Sequence, residues 1–186
     1  MRRCAWVTDD PRYMHYHDTE WGVPLFNEDR MFEFLLLESF QAGLSWLTIL
    51  RKRENFRAAF DNFDAEKVAA YDDAKITKLL NDAGIVRNRL KVLAATTNAQ
   101  KVLELREAGP GLSGHLWSFV DGEPVQNDWK DSNEVPASTP LSDAISKDLK
   151  KRSFKFVGST IIYALMQATG MVNDHTRDCF RRAELA

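Results

Sequence analysis

Ile76-Thr-Lys-Leu-Leu-Asn-Asp-Ala-Gly-Ile-Val-Arg-Asn-Arg-Leu-Lys91 is the stretch on which the fold turns. It reads as helix, a tight turn at Ala83-Gly84, then helix. Gly84 permits turn geometry that a β-carbon would resist. The helix after it opens with backbone N–H groups that have no intrahelical acceptor, and such an end favours anions. Arg87, Arg89 and Lys91 follow at once, so the hairpin suits a nucleic-acid phosphate gripped without reading sequence. An ordinary αα-hairpin has the same pattern. On these residues alone both readings stand.

Away from the hairpin, apolar residues recur at three and four rather than at two, so strands are not expected. Helices are expected over Glu28 to Phe40, Leu44 to Phe60, Asp64 to Ala70, Asp73 to Asp82 and Val86 to Ala108, the last stopped by Gly109-Pro110-Gly111. Leu44, Leu47, Ile49 and Leu50 give the second its apolar stripe. A short helix fits Leu112 to Val120. Residues 121–139 read as a loop, and Thr139-Pro140 as the start of a helix running to about Arg152. Val157 to Thr169 is the most apolar helix, closed by Gly170. These short, unequal helices predict an all-α architecture with orthogonal packing.

The chain has 186 residues, 44% of them hydrophobic, which suits one domain or two small lobes sharing a core. No stretch is long and apolar enough to span a membrane. The net charge of −2 excludes a nucleic-acid surface built on a global field and leaves local patches. Those patches are Arg51-Lys52-Arg53, the run 87–91, and Lys150-Lys-Arg-Ser-Phe-Lys155. No secretory signal is visible at the N-terminus, so a reducing, cytoplasmic setting is expected. No coiled-coil seam is visible either, and a monomer is the simplest expectation.

Cys4 and Cys179 are the only cysteines, and each has a histidine near it in sequence, His17 and His175. Together they make a Cys2His2 set of the kind that closes a structural zinc site and would join the two ends of the chain. His175 and Cys179 would share one face of a helix capped by Asn173 or Asp174. A Cys4–Cys179 disulfide and two unrelated buried thiols are the other readings.

Trp6, Tyr13, Tyr16, Trp21 and Trp46 crowd into the first quarter of the chain. Glu38 lies late in its helix, flanked by Leu37 and Phe40. Buried glutamates are rare without a partner. Aromatic faces with a carboxylate suit a flat cationic ligand, whereas a solvated Glu38 beside an aromatic core would suit none.

Arg3-Cys-Ala-Trp-Val7, Tyr16-His-Asp-Thr-Glu-Trp-Gly-Val-Pro24 and Gln41-Ala-Gly-Leu-Ser-Trp46 together resemble the DNA-3-methyladenine glycosylase I family. So do Lys52-Arg-Glu-Asn55, Phe154-Lys-Phe-Val-Gly158, Met166-Gln-Ala168 and Val172-Asn-Asp-His175, in order, from residue 1 to about 180. The resemblance implies a helix-hairpin-helix fold and a monofunctional enzyme of base-excision repair, with alkylated double-stranded DNA as partner and 3-methyladenine released. It implies zinc at Cys4, His17, His175 and Cys179, and Glu38 as the pocket carboxylate. Tyr16 and Trp46 become stacking walls, joined by Trp6 and Trp21. Gly43 and Leu44 fill the gap left in the duplex, and Gly84 belongs to the phosphate grip. The tail after Cys179 lacks the extra cysteines of some relatives, and Leu90 stands where a relative can have glycine. No aspartate after the hairpin helix is assigned a role.

Three other readings have separate marks. A non-catalytic lesion-binding module would bind methylated DNA and release no base. A zinc hydrolase needs an open metal position, which four protein ligands deny. A purely structural helical protein leaves the tryptophans, Glu38 and the basic hairpin unexplained.

Overall fold

The computed structural model describes residues 1–186, and its regular secondary structure is almost entirely helical. The helices begin where local chemistry starts them. Asn27 accepts from Arg30 N ahead of α2 (Glu28–Gln41). Ser45 does the same for Thr48 N ahead of α3 (Trp46–Ala59). Asp64 caps α4 (Ala65–Ala69) and Asp72 caps α5 (Asp73–Asn81). Asn88 caps α6 (Arg89–Ala108), and Thr139 with Ser142 forms a full capping box for α8 (Pro140–Lys151). Each cap satisfies backbone N–H groups that the helix cannot. The start of α7 (Gly111–Trp117) is served from a distance, by the Glu28 carboxylate accepting from Leu112 N and Ser113 N at 2.8 and 2.7 Å.

α2 is the central element. All ten residues from Met31 to Phe40 are buried, Glu33 and Glu38 among them. It packs against α3, α6, α7 and α9 (Ser159–Ala168). A helix apolar on every side is an interior helix, so a carboxylate on it is carried into the core.

Several expectations are corrected. α1 (Pro11–Thr19), capped by Asp10, lies where no helix was expected. α3 begins at Trp46, leaving Leu44 in the preceding turn and exposed. α6 begins at Arg89, three residues later than the apolar pattern suggests, because Asn88 is its cap. The connection within the hairpin therefore runs from Asp82 to Asn88 and is longer than a tight turn. Residues 174–178 are not helical: Cys179 N donates to Thr176 O at 2.9 Å in a turn. Cys179 then stands as the first flanking residue of α10 (Phe180–Glu184). Asn173 lies in β2 (Val172–Asn173), which pairs in parallel with β1 (Val125–Gln126). This short ladder pins the loop 121–139 beside the C-terminal segment. No helix is long and apolar enough to cross a membrane.

Candidate active site and metal centre

Trp6, Tyr16, Trp21, Trp46 and Glu38 line one cavity of roughly 370 Å³, with Tyr13 beside them. The aromatic wall is self-supporting. Trp6 packs on Tyr13 with centroids 5.0 Å apart and edge-on to Trp21 at 4.9 Å. Tyr16 tilts against Trp46 at 5.5 Å. Behind Trp46, Phe34 lies nearly parallel at 6.5 Å, and the Arg53 guanidinium sits 5.0 Å from the Phe34 centroid. Arg53 is held by Glu33 at 2.8 Å and by Glu20 at 2.8 and 3.0 Å. Two carboxylates and an aromatic face thus compensate its buried charge.

Glu38 has no such partner. The residue is 4% exposed, and burial alone pushes its pKa up to about 8. The phenols of Tyr13 and Tyr16 are raised as well, first by burial and then by the Glu38 charge. They stay neutral and can donate hydrogen bonds. Two more polar atoms at this cavity, Trp46 Nε1 and Ser132 Oγ, are buried without a partner. A buried polar group without a partner costs on the order of 1–3 kcal/mol. Several around one void mark a place shaped for a polar, aromatic ligand.

The far wall holds residues that the sequence reading did not place at the cavity, Asp174 among them, which it offered only as a helix cap. Asp174 accepts from Asn127 Nδ2 and Trp129 Nε1 on one oxygen, and from Tyr163 OH and Gln167 Nε2 on the other, all at 2.6–2.8 Å. Through Asn127 and Trp129 it anchors the loop whose Ser132, Val135 and Pro136 line the cavity. The motifs Met166-Gln-Ala168 and Val172-Asn-Asp-His175 contain Gln167 and Asp174, so a signal was present. The loop residues have no periodicity to betray them.

Cys4, His17, His175 and Cys179 are brought together at one point, all buried, with ligand atoms within 4.8 Å of one another. Both thiols are free. The outer nitrogen of each imidazole faces an acceptor, His17 Nδ1 toward Asp18 Oδ1 at 2.8 Å and His175 Nε2 toward the Trp21 carbonyl at 3.1 Å. Both outer nitrogens then carry the proton, and the lone pairs of His17 Nε2 and His175 Nδ1 aim inward. His175 Nδ1 stands 3.5 Å from the Cys4 sulfur and 3.3 Å from that of Cys179, and His17 Nε2 stands 3.3 Å from Cys179. Tetrahedral zinc would set that spacing at about 3.6 Å. The donor set fits a four-coordinate metal whose histidines are oriented by outer acceptors.

Gly43 and Leu44 lie outside the cavity, at the end of α2. Ala42 (φ −46°, ψ 116°) and Gly43 (φ +83°) trace a type II turn, and the left-handed φ is why glycine stands there. Leu44, at the turn's end, is 39% exposed.

Gly84 lies in the α5–α6 connection, but for space and not for a left-handed backbone. A β-carbon there would come within 2.9 Å of Asp82 Oδ1 and 3.2 Å of Asn55. Its N–H is taken by Asp82 Oδ1 at 2.7 Å. Lys52 Nζ holds the carbonyls of Ala83 and Gly84 at 3.0 and 3.2 Å. Arg87 and Arg89 are exposed, whereas Lys91 is buried and turned inward, away from any phosphate.

Comparison with known proteins agrees with this arrangement. The sequence profile of the methyladenine glycosylase family matches residues 6–182. DNA-3-methyladenine glycosylase 1 of Escherichia coli (strain K12) is 50% identical over 179 residues, which are 96% of each chain. A solved 3-methyladenine DNA glycosylase I superposes with a TM-score of 0.94 at 49% identity, covering 96% of this chain and 98% of that one. The Staphylococcus aureus 3-methyladenine DNA glycosylase I, solved for its recognition of 3-methyladenine, gives 0.94 at 38% identity, covering 98% and 97%. With an aromatic cavity around a buried carboxylate, and a match that leaves out only the chain's extreme ends, this chain belongs to the methyladenine glycosylase family.

Proposed function

We propose that this chain is a base-excision repair glycosylase that draws a 3-methyladenine nucleotide out of duplex DNA and hydrolyses its N-glycosidic bond, leaving an abasic site. The unpaired carboxyl of Glu38, buried in a cavity walled by tryptophan and tyrosine, carries the reading. Alkylation at N3 gives adenine a formal positive charge. The bond from N9 to C1′ breaks with its electron pair going to the base, which leaves neutral. Water adds to C1′ and loses a proton. The transition state is oxocarbenium-like, and no strong acid is needed. The protein's tasks are extrusion, stacking and electrostatic complement.

Glu38 supplies the complement. Ionising it in the empty cavity is unfavourable, and a cationic base offsets that cost where neutral adenine does not. Tyr16 and Trp46 stack on the flipped base, with Trp6 and Trp21 completing the wall. Unstacking from the duplex costs a few kcal/mol, least for a damaged base. No lysine reaches the cavity to form a Schiff base, so water is the acceptor.

The α5–α6 segment is the helix-hairpin-helix, with Gly84 at its turn. The backbone N–H groups of Val86 and Arg87 make no hydrogen bond within the chain, and exposed Arg87 and Arg89 belong to the same stretch. Leu44, on the turn made by Gly43, fills the gap in the duplex. Cys4, His17, His175 and Cys179 hold a structural Zn²⁺. It ties the chain ends together and supplies no reacting group, because four protein ligands leave no position for water. The chain works as one domain of two helical lobes, as a monomer on alkylated double-stranded DNA. Two free thiols suit a reducing cytoplasm.

Incubation with methylated duplex DNA, followed by chromatography of the freed bases, tests the reading. The expected result is release of 3-methyladenine by the wild type, with Glu38→Gln slower by about 100-fold in kcat/KM, the range of one removed electrostatic group. Tight binding without release above the spontaneous rate would instead make the protein a lesion-binding module.

A further inference from the structure

Lys91 is the one residue of the basic hairpin that the phosphate grip does not absorb. It lies in the first turn of α6, yet it is only 7% exposed. Its ammonium donates to two carbonyls on another element, Phe40 O at 2.9 Å and Ala42 O at 2.6 Å. These lie at the C-terminus of α2, where the last carbonyls have no N–H partner and the helix dipole is negative. No carboxylate neutralises the ammonium, and burial lowers its pKa. Such a group is costly to bury, and its place needs a reason beyond solubility.

Ala42 is the first central residue of the turn that carries Gly43 and delivers Leu44 to the surface. The turn is closed from its own side by Gln41, whose carbonyl accepts from Leu44 N at 2.7 Å and whose Nε2 donates to Leu44 O at 2.7 Å. That closure fixes the turn's shape but not its position. Lys91 fixes its position, against the start of the helix that follows the phosphate-gripping connection. We propose that Lys91 is a positioning residue for base extrusion: it locks the Gly43–Leu44 turn to the DNA-gripping hairpin, so that a phosphate held by one sets the depth to which the other enters the duplex. The inference rests on the reading of Gly43–Leu44 as the element that fills the vacated gap.

A rigid link of this kind matters only where a base must be taken out of a stack. Free 3-methyladenine needs no extrusion, and a base in a single strand needs little. Lys91→Met, Lys91→Arg and Leu44→Ala are compared with the wild type, all checked for folding by melting curves. Three readouts are taken: affinity for free 3-methyladenine by tryptophan fluorescence, single-turnover excision from methylated single-stranded DNA, and the same from methylated duplex.

For Lys91→Met the expected pattern is free-base affinity within about twofold, single-strand excision within about threefold, and duplex excision down by about tenfold or more, since extrusion is the step at issue. Lys91→Arg keeps charge and donors and should recover most of the duplex loss. Equal losses on duplex and single strand, or weakened free-base binding, would show a merely structural lysine and overturn the proposal. Undiminished duplex excision in Lys91→Met would overturn it too. Leu44→Ala separates the two ideas. If it shows no duplex-selective loss, the gap-filling reading fails and takes the Lys91 inference with it. If Leu44→Ala shows that loss and Lys91→Met does not, the link alone is wrong.

Discussion

Glu38 shows how one residue can be poor for stability and good for function. An unfolded chain titrates this carboxyl near 4.5, and the folded chain at about 8. The folded state therefore holds the proton more tightly, and stability falls as pH rises between those two values. Below 4.5 and above 8 this group adds no slope. At 1.36 kcal/mol per pH unit the full span is bounded by about 5 kcal/mol, and water entering the cavity reduces it. Glu38→Gln removes the dependence. Melting of the DNA-free protein should show the variant gaining on the wild type from pH 5 to pH 8.5, and parallel curves would rule the buried carboxyl out as the cause. Excision runs the opposite way, because the ionised form meets the cationic base. In the wild type kcat/KM should climb with pH and level off above about 8, reporting the free enzyme. That limb should be missing in Glu38→Gln.

At the scale of elements, legibility followed local chemistry. The helices that announce themselves by caps, α2 at Asn27, α5 at Asp72 and α8 at Thr139-Pro140, fall close to where the sequence places them. The aromatic residues and Glu38 were legible as a group, and the cavity that unites them is theirs. What depends on long-range contact was not legible. Lys91 reads as one more basic residue, and only the fold shows that the carbonyls it serves lie at the end of α2 and in the turn that follows. α1 carries tyrosines and histidines with no clean apolar stripe, since its buried residues, Tyr16 and His17, belong to the cavity and the Cys2His2 cluster. The helix expected around His175 fails because Asp174 is drawn into four hydrogen bonds to distant partners, and Asn173 into a strand. The hairpin is where element chemistry becomes testable. Arg87 and Arg89 are exposed beside free backbone amides, so each should neutralise one phosphate. Replacing either with Ala should lower the slope of log K against log salt by about 0.9 for duplex DNA, independent of sequence. An unchanged slope for both, measured by fluorescence anisotropy, would remove the hairpin from the DNA surface.

Across the whole molecule, the Cys2His2 cluster joins residue 4 to residue 179 and also underlies the cavity wall. Trp21 packs edge-on to the His175 ring at 4.6 Å, and Trp6 to the His17 ring at 5.4 Å. Each histidine is oriented by a neighbour in the N-terminal segment. Asp18, itself held by Arg3 at 2.7–3.1 Å, accepts from His17, and the Trp21 carbonyl accepts from His175. A metal at this point therefore fixes the tryptophans through the imidazoles on which they rest. The other ties between the ends are weaker. Phe180 N donates to Arg2 O at 3.0 Å, and an exposed Arg2–Asp178 ion pair spans 2.8 Å, a contact worth on the order of 0–1 kcal/mol. Loss of the metal should therefore cost stability as loss of a long-range cross-link does, about 2–5 kcal/mol. The core around α2 should stay folded, because none of the four ligands lies on that helix. Cys179→Ser should lose the bound zinc, melt earlier, and bind free 3-methyladenine more weakly while keeping its helical circular dichroism. Acid should mimic the variant, since protons compete with a metal for imidazoles and thiolates. Mass spectrometry of the native protein, with melting and base titration on the same sample, checks all three effects. Unchanged zinc content and melting in Cys179→Ser would mean that the cluster is a set of buried thiols and imidazoles that happen to meet.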